Sequence, residues 1–83
     1  MSDALKVVRG ETNGWDIFHP GTGLKAIIGF RTKTNAAAWQ KRLEAVQDFS
    51  LPNEKLVACM RTNKPLYAIL REFRELSKGA KLV

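Results

Sequence analysis

Two side chains could carry nucleophilic or acid–base chemistry near neutral pH, and each type occurs once: His19 and Cys59. A zinc site needs three or four ligands drawn from Cys, His and carboxylates, so zinc-finger spacings are excluded on ligand count. A Cys59–His19 nucleophile pair fares no better. Cys59 follows Leu56-Val57-Ala58, an apolar helical run that predicts a buried, inert thiol and not an activated thiolate. His19 stands directly before Pro20 and reads as a side chain flanking a turn. The carboxylates Glu44 and Asp48, and Glu72 and Glu75, have helical spacing on solvated faces, where nothing perturbs a carboxyl toward general acid–base work. Gly21-Thr22-Gly23-Leu24-Lys25 has glycines and a lysine but lacks the full phosphate-loop pattern and leads into a β-rich run, so it reads as a hairpin turn. These residues predict no enzyme, no metal and no cofactor.

The cations are more informative. Fourteen Lys and Arg stand against eight Asp and Glu, a net charge of +6 that favours polyanionic partners. Residues 53–83 hold seven of the basic and three of the acidic side chains, so the surplus is concentrated at the end of the chain. On a helical wheel of about 100° per residue, Tyr67, Arg71, Arg74 and Lys78 gather on one flank of an apolar stripe, and Glu72 and Glu75 fall on the other side. A second basic set lies near the N-terminal strands. Alternation places Lys6, Phe18, Lys25, Ile27 and Arg31 on one sheet face, with Lys33 joining Arg31 at the strand-to-helix turn. Cations beside an aromatic ring can hold phosphates and stack or pack against bases. Helices covering that face would leave the helical flank as the better surface.

The elements that position these side chains follow from pattern and punctuation. Strands are predicted near residues 5–8, 15–19 and 24–30, separated by Gly10-Glu11-Thr12-Asn13-Gly14 and Pro20-Gly21-Thr22-Gly23. Two short connections make a three-stranded antiparallel meander, which needs an apolar cover on one face. Thr34 or Asn35 can cap a helix over 35–48, whose Ala36, Trp39, Leu43 and Val46 recur at helical spacing and pack on Val7, Trp15, Ile17, Ala26, Ile28 and Phe30. Pro52 ends that element. A short helix over 53–62 and a final helix over 65–78 follow, the latter with Pro65 in its first turn and the stripe Leu66, Ile69, Leu70, Phe73 and Leu76. Residues 80–83 read as a frayed tail. The whole, residues 1–83, is one small α+β domain, because a chain this short builds one core.

The segment Trp15-Asp16-Ile17-Phe18, the turn with Gly23, and Gly29-Phe30-Arg31-Thr32 leading to Ala36 resemble the three-strand-plus-helix DNA-binding modules of plant ethylene-response factors and tyrosine-integrase arm domains. The resemblance covers about thirty residues and rests on residue types that any small capped meander uses. It implies that the sheet reads DNA, through Phe18, Lys25 and Arg31. It does not extend to the C-terminal helices, and the first strand lacks the dense arginines of those families. The leading expectation is a non-enzymatic basic domain that binds nucleic acid, DNA or RNA, through Lys25, Arg31, Lys33, Tyr67, Arg71, Arg74, Lys78 and Phe18. The alternative is a small adaptor or inhibitor, of the kind phages and mobile elements encode, docking on an acidic protein surface. A homodimer is compatible with both. One cysteine and no apolar run of membrane-spanning length predict a cytoplasmic protein without a membrane partner.

Overall fold

The structure is a computed structural model that describes residues 4–11 and 13–83, so Thr12 of the first predicted turn lies outside the described residues. Strands β1 (Lys6–Arg9), β2 (Trp15–His19) and β3 (Leu24–Phe30) precede helices α1 (Lys33–Val46), α2 (Asn53–Arg61) and α3 (Lys64–Ser77). The strands form the antiparallel meander β1-β2-β3, and the chain has the α+β arrangement its pattern predicts.

The β1–β2 pairing is regular, with Val7 opposite Ile17 and Val8 opposite Asp16. The β2–β3 pairing is not: seven residues of β3 run beside five of β2 through two register shifts. Trp15 stands opposite Phe30 and Ile17 opposite Ile27, and both Ile27 and Phe30 are buried. Two inward residues three positions apart cannot belong to an uninterrupted strand of period two; the extra bulge residues switch the face. Strict alternation therefore fails on β3. Ile27 points to the core where the opposite face was predicted, and Ala26 and Ile28, predicted against the helix, are exposed.

The bulge is held by a buried carboxylate. Gly29 takes φ +95°, a region that suits glycine, and its N–H donates to Asp16 Oδ1 (3.0 Å). Lys25 Nζ sits 2.8 Å from the other carboxylate oxygen, so both oxygens of a nearly buried Asp16 are satisfied.

Helix α1 starts two residues earlier than the sequence suggests. Thr32, and not Thr34 or Asn35, is the cap, its hydroxyl accepting from the Asn35 N–H (3.1 Å). Ala36 and Leu43 are buried, and Trp39 and Val46 pack beside them, as the stripe requires. Asn63 caps α3 by accepting from the Leu66 N–H (2.9 Å), while its Nδ2 donates to the Val46 carbonyl and to Gln47 Oε1, both at 2.8 Å. One side chain thus fixes the start of α3 against the end of α1. Phe30, Trp39 and Phe73 complete the arrangement as an aromatic triangle with centroids 5.0 to 6.2 Å apart, bringing β3, α1 and α3 together.

Helix α1 covers one side of the sheet, and α3 packs on α1 and reaches β3 through Phe73. The outer side keeps Val8 and Phe18 half-buried and Ile28 61% exposed. The tail is not frayed. The Arg31 N–H donates to the Val83 carbonyl (2.7 Å), the Val83 N–H donates to the Gly29 carbonyl (2.8 Å), and Leu82 fills the space a Cβ on Gly14 would need. Hydrogen bonding to the end of β3 supplies the partners that a terminal segment without periodicity lacks on its own.

Candidate functional site

Helix α3 is oriented by its apolar side. Leu66 and Ile69 are buried and Leu70 and Phe73 pack against the core, whereas Leu76, predicted in the same stripe, is 53% exposed. Glu72 pairs with Arg42 of α1, which marks the flank of α3 nearest its neighbour. Tyr67, Arg71, Arg74 and Lys78 lie on the opposite flank, all exposed, with Tyr67 at 48%. Lys64, three residues before Tyr67, belongs to the same arc of roughly 80° and is also exposed. Helical spacing shows this once the helix is seen to begin at Lys64 and not at Pro65.

The carboxylates of α3 are both engaged. Glu72 is drawn to Arg42, and Glu75 lies 3.4 Å from Lys78 as an exposed pair one turn apart. Among the described residues, no ion pair involves Lys64, Arg71 or Arg74. Within the row, then, Lys78 is paired with Glu75, and Lys64, Arg71 and Arg74 present their cations beside the Tyr67 ring.

The remaining candidates sit apart from this row. Phe18 and Lys25 are opposite each other across β2 and β3. The Lys25 ammonium is tied to Asp16, and that hydrogen bond raises its pKa above the ordinary 10.5, against a smaller opposing effect of desolvation. Arg31 and Lys33 are exposed at the turn between β3 and α1. Lys33 lies 5.7 Å from the Trp15 ring centroid and Arg9 5.0 Å from it, so the aromatic face there is occupied by the protein's own cations. Sequence reasoning passed over Arg9, and the β1–β2 register that sets it opposite Trp15 is what brings it in.

His19 and Cys59 are not brought into a catalytic arrangement. His19 is buried; its Nδ1 accepts from the Thr22 N–H (3.2 Å) and faces the Thr22 hydroxyl at 2.8 Å, and its Nε2–H donates to the Phe49 carbonyl (2.8 Å). Instead of merely flanking a turn, the ring ties the β2–β3 hairpin to the segment after α1. Cys59 is exposed, contrary to the predicted buried thiol, because α2 buries only Leu56. No group of three or more metal-ligating side chains occurs among the described residues, and no helix there is long and apolar enough to cross a membrane.

No family model matches the chain, and neither the curated proteins nor the solved structures contain a significant match.

Proposed function

We propose that this chain is a non-enzymatic domain that binds nucleic acid along the exposed row of α3. The observation that carries the reading is the distribution of charge on that helix: Glu72 and Glu75 are engaged, and on the flank turned from α1 Lys64, Arg71 and Arg74, beside Tyr67, have no ion pair among the described residues. In this reading Arg71 and Arg74 neutralise phosphates, releasing counterions, and Tyr67 packs on sugar or stacks on a base, a contact worth about 1–3 kcal/mol. Lys78, at the helix end, extends the row toward the tail.

The resemblance to the sheet-reading DNA-binding modules supports a different contact, through Phe18, Lys25 and Arg31. The uncovered outer sheet face is compatible with it, but Lys25 is already committed to Asp16. A labelled-oligonucleotide mobility shift distinguishes the two surfaces. The expected result is binding at micromolar protein and low salt that the Arg71→Ala/Arg74→Ala pair weakens at least tenfold and Phe18→Ala leaves nearly unchanged. Absence of any shift, or an unaffected arginine pair, overturns the proposal. A partner from lysate that survives nuclease and still needs Arg71 and Arg74 would move the row to an acidic protein surface.

A further inference from the structure

β3 is the longest strand and lies at the edge of the sheet, so one row of its backbone N–H and C=O groups faces away from β2. The tail meets this edge only at its C-terminal end, through Gly29 and Arg31. Along this outer edge residues 24–28 have no strand beside them among the described residues. Proteins usually blunt such an edge with proline or outward charge. Here there is no proline, and the only charge, Lys25, is held by Asp16; the bulges are the one device present.

Beneath this free stretch runs a groove of about 320 Å³ between β3 and α2, with Leu24 and Ala26 on the strand wall and Leu56, Val57 and Met60 on the helix wall. That volume lies at the small end of ligand clefts, about 300 to 1,000 Å³. Leu24 is 67% exposed, Ile28 61% and Val57 51%, so three of the most exposed large apolar side chains flank one open edge. Unpaired backbone above an apolar groove is the arrangement that receives an added strand, with main-chain bonds for affinity and alternate side chains entering the groove.

We infer that β3 and α2 form a docking site for an extended peptide of a partner protein, in which apolar residues alternate with acidic ones. Charge selects that chemistry: α2 carries Lys55 and Arg61 against a single carboxylate, Glu54, and the chain carries +6. A second copy fits poorly. Its own +6 opposes approach, and five residues of edge offer far less than the roughly 800 Å² per partner of a stable dimer. The site is separate from the α3 row and does not depend on the nucleic-acid reading.

The test uses the whole chain, labelled for amide NMR, and the blocked hexapeptide Glu-Val-Glu-Val-Glu-Ile as probe. Saturable shifts confined to the amides of 24–28 and 56–60 are expected. N-methylation of two alternate peptide residues, removing two main-chain donors, should weaken binding about thirtyfold. Val57→Glu, a change at an exposed position, should abolish it, and Arg71→Ala/Arg74→Ala should leave it unchanged. The inference is overturned by no shifts at millimolar peptide, by shifts elsewhere, by equal affinity of the N-methylated peptide, or by equal binding of Lys-Val-Lys-Val-Lys-Ile. Sedimentation as a dimer that Val57→Glu disperses would also overturn it, since a second copy would then occupy the edge.

Discussion

Asp16 shows how one residue can decide a strand. Its two oxygens take the Gly29 N–H and the Lys25 ammonium, so the carboxylate holds the bulge that turns Ile27 and Phe30 toward the core. Asp16→Ala leaves the Gly29 N–H without its acceptor, and the expected loss is about 2 kcal/mol, a fall in Tm of roughly 10 °C by thermal melting. Because the Lys25 pKa is raised, the stability it contributes is full below the ordinary value of 10.5 and disappears as pH rises through the raised value. Asp48 has the opposite sign. The Ser50 hydroxyl and N–H both donate to it, at 2.5 and 2.9 Å, and lower its pKa below 3.8. Its contribution is present above that value and fades as pH falls through the lowered one. Ser50→Ala should bring the Asp48 titration, followed by carboxyl NMR, back toward 3.8; an unchanged titration would show that the Ser50 hydroxyl is not the cause.

At the scale of elements, what the sequence made legible divides by periodicity. The stripes of α1 and α3 were readable because Ala36, Leu43, Leu66 and Ile69 recur at helical spacing and no other arrangement buries them together. The basic flank of α3 was readable for the same reason. The facing of β3 was not, since Ala26, Ile27 and Ile28 are all apolar and alternation cannot choose among them once bulges intervene. The engagement of Glu72 by Arg42, thirty residues away, leaves no local trace. Nor does the tail, whose order comes from Gly29, Arg31 and Gly14, elements it meets only after folding. Deleting residues 81–83 removes the acceptor of the Arg31 N–H and the donor to the Gly29 carbonyl. The Arg31 amide is then expected to exchange at least tenfold faster, while the Ile69 amide within α3 changes little. Equal acceleration at both sites would mean that the tail supports the whole fold and not just the end of β3.

Across the whole molecule, the +6 charge is divided by the architecture. Helix α3 packs on α1 with its cations exposed, Lys25 is tied to Asp16, and Lys33 is drawn to Trp15. Net charge alone would make every cation a candidate; ion pairs and cation–π contacts engage Arg9, Lys25, Lys33, Arg42 and Lys78, and among the described residues leave Lys64, Arg71 and Arg74 beside Tyr67 without such a partner. If that row tracks phosphates, the affinity must carry its signature in salt. The decisive measurement is the fluorescence anisotropy of a labelled oligonucleotide titrated at several salt concentrations. For the native chain, log K should fall linearly with log salt, with a slope of about −0.9 per duplex phosphate neutralised, or about −0.7 on a single strand. For Arg71→Ala/Arg74→Ala the slope should be shallower by about 2, one unit for each phosphate contact removed. The same slope in both proteins, or no binding at the lowest salt, would contradict a nucleic-acid contact on α3.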